Sequence, residues 1–287
     1  MLPRTMKNVI TVLSLASLLC WVPLVSGGSV RVYPAPAGEA MSKDFSVTVE
    51  GQDVSVYVAK VAPGDPARRW KAMDDKANSA EYFETASFAY FDMSGAVTVT
   101  VTCPEVIQSA RVLPSSFDVK PVVEGNRLRL ALKEPRPVTL EVNGKWVEAL
   151  HLFANPPESD VPRRDDPNVL YFGPGIHEVS HLVVSNNQTV YVAGGAIIRG
   201  VIRSEEPFRI SSYSGLRTYS PTFVLRGTNI TFRGRGIVDA SRSSVGREKQ
   251  FKRNTKSGCA FGRWRRGKAC RWTLRPRKAS ASTEMTG

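Results

Sequence analysis

Hydrophobic and polar residues alternate with a period of two along much of the first half of the chain. Residues 97–101, 128–132 and 138–142 each place apolar side chains at every second position. Because successive side chains of a strand point to opposite faces, this alternation predicts strands with one buried face. Asn143-Gly144 follows the last of these segments and is typical of a two-residue hairpin turn. Short alternating strands of this kind predict an antiparallel β-sandwich domain over residues 28–154.

The pattern changes after that domain. Residues 155–168 are rich in proline and charge, which predicts an extended linker. Residues 169–240 hold short β-branched segments separated by glycine or asparagine, with few hairpin dipeptides. Segments of this kind predict the start of a parallel β-helix, in which each coil stacks on the next. The polar stretch 66–78 is predicted as a helical turn or a long loop, and no segment predicts an amphipathic helix, so the predicted fold class is all-β.

The last part of the chain, residues 241–287, differs from everything before it. The protein has 287 residues and a formal net charge of +13. Residues 241–287 contain 14 of the 39 Lys and Arg and two of the 26 Asp and Glu, so they contribute +12, and the first 240 residues carry 25 − 24 = +1. Without a usable apolar period, this basic tail is predicted to be disordered or to be translated out of frame, and a genuine basic tail is the alternative. The nearly neutral remainder does not predict a nucleic-acid partner.

The amino-terminal residues 1–27 have the features of a secretory signal peptide. Arg4 and Lys7 precede the apolar run 9–25, and Ser26-Gly27 supplies small residues for cleavage. An uncleaved membrane anchor is the alternative, but the run is short and contains a proline. The mature protein is therefore expected to be secreted, extracellular or periplasmic, without stable membrane insertion.

Two segments of the predicted β-helix resemble a known family. They are Thr189-Val190-Tyr191-Val192-Ala193-Gly194-Gly195-Ala196-Ile197-Ile198-Arg199-Gly200 and Asn229-Ile230-Thr231-Phe232-Arg233-Gly234-Arg235-Gly236-Ile237-Val238-Asp239. They resemble the opening coils of glycoside hydrolase family 28, the polygalacturonase family. The resemblance implies a right-handed parallel β-helix of the pectin-lyase-like kind and a polysaccharide substrate, pectin-like or another plant, algal or microbial glycan. A sandwich before the helix is similar to the arrangement in dextranase-type relatives.

The resemblance also implies inverting hydrolysis, in which one carboxylic acid protonates the leaving oxygen and carboxylates across the cleft activate water. The family supplies these groups from Asn-Thr-Asp, Asp-Asp, Gly-His-Gly and Arg-x-Lys motifs that come after the coils present here. The sequence after Asp239 contains neither Asp nor His. We therefore predict no catalytic residue, no cofactor site and no metal site in this chain, and an inactive chain whose reading frame shifts, or whose gene end is misassigned, after about Ser241.

Other candidate sites have simpler interpretations. Adjacent carboxylates are more often solvated pairs than catalytic ones, histidines four apart in a strand are too distant to share a metal, and glycine pairs at corners shape turns. Aromatic side chains that could stack on sugar rings more often belong to a core or an inter-domain contact, and two cysteines without further ligands do not predict zinc. These candidates are Asp74-Asp75, Asp165-Asp166, His177 and His181, Gly194-Gly195, Gly234-Arg235-Gly236, Trp70, Tyr82, Trp146, and Cys259 with Cys270.

The sequence thus predicts the front portion of a secreted glycoside hydrolase. A non-catalytic carbohydrate-binding or cell-surface β-helix protein is the alternative. A polysaccharide lyase is a third possibility, but no acidic residues cluster as a Ca²⁺ site would require.

Overall fold

The computed structural model describes residues 28–61, 64–65, 84–203, 205–210 and 217–240. The predicted signal peptide, the polar stretch 66–78 and the basic tail lie outside these ranges. Within them the regular structure is β-strand apart from a 3-10 turn at Ser115–Phe117, which confirms the all-β prediction. The described residues contain no helix long and apolar enough to cross a membrane.

The first part of the structure consists of two facing sheets. Its strands are β1 (Ser29–Val32), β2 (Ser46–Val49), β3 (Gln52–Val54), β4 (Val56–Val61), β5 (Glu84–Ser94), β6 (Val97–Thr102), β7 (Ala110–Leu113), β8 (Val122–Glu124), β9 (Arg127–Leu132), β10 (Pro137–Val142) and β11 (Lys145–Asn155). One sheet, sheet I, has the order β1-β5-β11-β10-β7 with β4 also paired to β5, and the other, sheet II, has the order β3-β2-β6-β9-β8.

The core between these sheets is built from the alternating residues of the sequence. The valines of β6 and the leucines of β9 are at most 2% exposed, and the buried apolar residues of β10 and β11 face them from sheet I. Asn143 and Gly144 both have positive φ, 52° and 74°, as a type I′ hairpin requires. This turn leads β10 into β11 with Val142 opposite Lys145. Burial of one face per strand, together with the predicted hairpin, therefore sets the register of this region.

One strand pair corrects the prediction of a wholly antiparallel sandwich. β5 and β11 pair in parallel, with Phe88 opposite His151 and Tyr90 opposite Phe153, so sheet I is mixed. Parallel neighbours need a long connection between them. Residues 95–144 provide it, because the chain passes to sheet II and back between β5 and β11.

The second part of the structure consists of stacked coils. Its strands are β12 (Val169–Phe172), β13 (Gly175–Val179), β14 (Leu182–Val184), β15 (Thr189–Val192), β16 (Ala196–Gly200), β17 (Phe208–Ile210), β18 (Arg217–Tyr219), β19 (Phe223–Leu225), β20 (Thr231–Gly234) and β21 (Ile237–Asp239). Parallel pairing joins β12-β15-β20, β13-β16-β21 and β14-β19 into three short sheets. β17 and β18 form an antiparallel hairpin that is inserted into the second coil, which explains the irregular spacing of the strands in the sequence.

The coils enclose a small apolar core and align their corners. Val190, Val192 and Ile198 are at most 2% exposed and pack together inside the coils. At one corner Asn187 and Asn229 both have positive φ, 59° and 53°, and the Asn229 amide donates to Asn187 Oδ1 at 3.0 Å. Asparagine tolerates this left-handed conformation better than most residues. Equivalent corners of successive coils therefore stack through their asparagine side chains.

Candidate functional site

The outer face of sheet I, turned away from the sandwich core, carries most of the aromatic and polar side chains of interest. Phe88 and Tyr90 of β5 point to this face, opposite His151 and Phe153 of β11. Their chain neighbours, such as Phe91, point inward and are buried in the sandwich core. Both faces of these strands therefore carry packed side chains. We call the outer face of sheet I the platform.

The coils cover one half of this platform. Tyr33, Tyr57 and Tyr90 are at most 7% exposed and pack with Ile197 of β16. The Tyr33 and Tyr90 rings stack with centroids 5.6 Å apart, and those of Tyr57 and Tyr90 lie 5.9 Å apart. Aromatic pairs at such distances add to the stabilisation from area burial. The sandwich and the coils therefore share a core of their own.

A buried ion pair lies at the edge of that shared core. Asp92 is 1% exposed and accepts a hydrogen bond from Tyr33 Oη at 2.7 Å and one from Arg235 Nε at 2.6 Å. Arg235, in the turn between β20 and β21, also donates from Nη2 to the carbonyl oxygen of Pro156 at 2.6 Å. Burial raises the pKa of Tyr33, and the hydrogen bond to Asp92 raises it further. The Tyr33 hydroxyl is thus a neutral donor, and each oxygen of the Asp92 carboxylate accepts a hydrogen bond.

Two further contacts fix the second coil on the sandwich. The backbone N–H of Gly195 donates to Tyr90 Oη at 3.1 Å. A Cβ on Gly194 would overlap the ring of Tyr33, so only glycine allows this close approach. Arg199 on β16 forms an ion pair with Glu39 of the sandwich. Gly194 and Gly195 therefore belong to the interface between the sandwich and the coils, and they also form a corner of a coil.

The predicted linker contacts the coils. Tyr191 Oη donates to Glu158 Oε2 at 2.8 Å, and burial is the main reason that the pKa of Tyr191 is raised. Arg233 pairs with Asp160. Glu158 and Asp160 of the segment 155–168 thus contact side chains of the second and third coils.

The other half of the platform is an open depression of about 520 Å³. Its residues come from β7 and the turn after it, from β10 and from β11: Leu113, Pro114, Ser115, Pro137, Val138, Thr139, His151 and Phe153. Phe153 also packs against the aromatic cluster beneath the coils, so the depression begins where the coils end.

The polar groups of the depression are neutral. His151 Nδ1 and Thr139 Oγ1, opposite each other on neighbouring strands, are 2.9 Å apart. Burial lowers the pKa of His151 below its usual range, so the imidazole is uncharged at neutral pH. A Thr and a neutral His beside Phe153 can bind hydroxyl groups next to an apolar surface. They do not form the carboxylate pair that glycoside hydrolysis requires.

The predicted candidate carboxylates at Asp165 and Asp166 lie in an exposed turn. Arg163 donates to Asp165 through Nε at 3.0 Å and Nη2 at 2.7 Å, and this hydrogen bond lowers the pKa of Asp165. Asp166 Oδ1 accepts from the backbone N–H of Asn168 at 2.9 Å. Both carboxylates thus stabilise the local turn.

The two histidines of the coils bind different backbone groups. His177 Nε2 is 2.7 Å from the carbonyl oxygen of Gly173, and His181 Nδ1 is 3.1 Å from that of Pro221. Across the described ranges no three His, Cys, Asp or Glu side chains are grouped as a metal site.

The remaining sequence candidates are scattered. Trp146 is 60% exposed beside the β10–β11 hairpin. Asp74-Asp75, Trp70, Tyr82, Cys259 and Cys270 lie outside the described residues.

A second, smaller depression of about 90 Å³ includes Cys103 and Lys145. The amine of Lys145 lies 3.5 Å from a carboxylate oxygen of Glu105 and 3.9 Å from one of Glu148.

Sequence reasoning missed the residues of the platform. The only signal for them was the apolar run of β5, interrupted by Asp92, and that run does not alternate. An aspartate between Phe91 and Met93 indicates a buried charge that needs a partner. The partner, Arg235, is 143 positions away along the chain.

The chain resembles known proteins in structure and not in sequence. No protein-family model matches the sequence, and no curated protein matches it. Among solved structures the chain is similar to Dex49A from Penicillium minioluteum, with 14% sequence identity and a TM-score of 0.46. The alignment covers 72% of this chain and 55% of the other, so this chain spans about half of that protein's length. A likeness at this level identifies neither a family nor an activity.

Proposed function

We propose that this chain is the amino-terminal portion of a secreted, polysaccharide-degrading glycoside hydrolase with a right-handed parallel β-helix of the polygalacturonase-like superfamily. The observation that supports the proposal most is the stacking of the two family-like segments. Thr189 lies opposite Thr231, and Ile197 lies opposite Ile237, in parallel register. The two segments therefore occupy equivalent positions in successive coils.

In this proposal the described residues hold the first coils in place and bind glycan. The residues that cleave the glycan lie in later coils of the full-length parent. The first coils are fixed to the sandwich by Tyr90, Asp92 and Arg235. Fixing the first coils in this way gives further coils a template on which to stack, because each coil buries its apolar face only against its neighbours. Inverting hydrolysis in those coils would need carboxyl groups roughly 6.5–9.5 Å apart.

We expect the DNA after the codon of Ser241, read in another frame, to encode further coils with Asn-Thr-Asp and Gly-His-Gly motifs. The reason is that the β-pattern ends at Asp239 and that no Asp or His occurs after it. Resequencing the locus and its transcript checks this expectation. Stop codons in both of the other two frames directly after that point would contradict the proposal.

We also expect the purified chain to release no reducing sugar from polygalacturonate or from neutral polysaccharides. The only adjacent carboxylates of the described part that the sequence singled out, Asp165 and Asp166, are held in an exposed turn. A reducing-end assay with an authentic polygalacturonase as positive control measures this. Turnover that persists in the Asp165→Asn/Asp166→Asn variant would reveal an active site elsewhere in the chain.

A non-catalytic carbohydrate-binding role is the second candidate. It is favoured by the depression at Thr139, His151 and Phe153, whose described lining has groups for binding a glycan and lacks a carboxylate. The two candidates differ in the coding sequence expected after residue 240, so the DNA experiment separates them.

A further inference from the structure

The open half of the platform has the chemistry of a binding site. Its volume of about 520 Å³ falls within the roughly 300–1,000 Å³ typical of ligand pockets. Pro114, Pro137 and Phe153 give it apolar surfaces, while Ser115, Thr139 and His151 supply hydroxyl and imidazole groups. Sugars need both features, because their C–H faces are apolar and their edges carry hydroxyl groups.

The arrangement of these groups follows the sheet. Thr139 lies opposite His151 on one row, and Pro137 lies opposite Phe153 on the next row. Residues on one face of a strand repeat every second position, about 6.6–6.8 Å apart along it. The polar row and the apolar row therefore run side by side across β10 and β11, and a ligand on this face contacts both at once.

The electrostatics of the depression select among glycans. No Lys, Arg, Asp or Glu is among the described residues that line it. The pair formed by His151 and Thr139 is 2.9 Å apart, and the burial that lowers the pKa of His151 keeps the imidazole neutral. An acidic glycan would bring its carboxylates to a lining without cations to pair with them, whereas a neutral glycan needs no such partners.

We propose that this depression, formed by Thr139, His151, Phe153 and the neighbouring prolines, binds a neutral oligosaccharide chain and not an acidic one. The inference rests on the proposed function for the class of ligand, a glycan. It narrows that class, because polygalacturonate carries a carboxylate on every sugar. The bound chain would extend beside the coils, since Phe153 belongs both to the depression and to the cluster beneath them.

The experiment is a titration of the full chain with purified oligosaccharides. Cello-, malto-, xylo- and manno-oligosaccharides are the neutral probes, and oligogalacturonate is the acidic probe. Binding is measured by calorimetry, and its location by the NMR signals of the His151 ring. We expect saturable binding of at least one neutral probe, with shifted His151 signals, and no binding of oligogalacturonate.

The Thr139→Val variant tests the site itself. It removes one hydroxyl while it keeps the shape and favours the strand, so we expect about tenfold weaker binding, as the loss of one hydrogen bond predicts. Thr100→Val is the matched control on sheet II, far from the depression, and should bind as the unaltered chain does. His151→Gln keeps a polar group at position 151 and tests whether the imidazole itself is needed for binding.

The possible outcomes separate this inference from the proposed function. Stronger binding of oligogalacturonate than of every neutral probe would overturn the electrostatic argument, although it would still agree with a glycan-degrading parent. Neutral binding that Thr139→Val and His151→Gln leave unchanged would overturn the location. No binding of any probe by a folded chain would overturn the inference, and the DNA test would still decide the proposed function.

Discussion

Replacing Asp92 by alanine is expected to lower the free energy of unfolding by about 3–5 kcal/mol, the cost of breaking a buried ion pair from one side. Asp92 is 1% exposed and binds Arg235 Nε at 2.6 Å and Tyr33 Oη at 2.7 Å. Its removal leaves a guanidinium and a phenol in a largely buried place without their acceptor. Denaturant unfolding, followed by circular dichroism, measures the loss.

A double-mutant cycle attributes this cost to the pair. If Asp92 and Arg235 act together, the Asp92→Ala/Arg235→Leu protein should lose less free energy of unfolding than the two single variants lose in sum. The difference should be about 0.5–3 kcal/mol. Glu124→Ala is the matched control, because Glu124 pairs with Arg129 at 2.8 Å on an exposed surface, and it should change stability little. A cost for Asp92→Ala as small as that of Glu124→Ala would show that the junction contributes no stability.

The Gly234→Ala substitution is expected to cost more than about 3 kcal/mol, from an unfavourable backbone conformation together with overpacking. Gly234 has φ +130°, and an added Cβ would overlap the carbonyl oxygen of Val192 and lie 2.7 Å from its carbonyl carbon. That same oxygen accepts hydrogen bonds from the N–H groups of Arg235 and Gly236, both at 2.9 Å. The third coil would have to move away from the second, and Arg235 would move with it.

Gly175→Ala is the control for the backbone conformation alone. Gly175 has nearly the same φ as Gly234, +126°, but an added Cβ meets nothing within 4 Å. It should therefore cost only about 1–3 kcal/mol. Equal losses for the two variants would show that the contact between coils at Gly234 is not limiting. The same denaturant experiment measures both variants.

The strands with one buried face could be predicted from the sequence because their alternation records that burial directly. Residues 97–101 and 128–132 are examples, and the apolar positions in them are the ones that the sandwich core buries. Asn143-Gly144 could be predicted as a hairpin because few residue pairs accept two positive φ angles. The short β-branched segments of residues 169–240 were recognisable as strands, although the inserted pair of β17 and β18 obscured their period.

Strand β5 was not predicted, since both of its faces are buried. Ala89 and Phe91 face the sandwich core, while Tyr90 and Asp92 face the coils, so the strand shows no alternation. Its parallel pairing with β11 depends on the path of the chain through sheet II, which local patterns do not encode.

The sequence by itself determined the all-β class of fold and the positions of the alternating strands, because each depends on residue types and spacings close together in the chain. Only the tertiary structure decided the junction and the depression. Asp92 meets Arg235 across 143 positions, Gly194 meets Tyr33, and Thr139 meets His151 on a neighbouring strand. A contact between residues distant in sequence is set by how the sheets and coils pack, and a single sequence carries no local pattern for it.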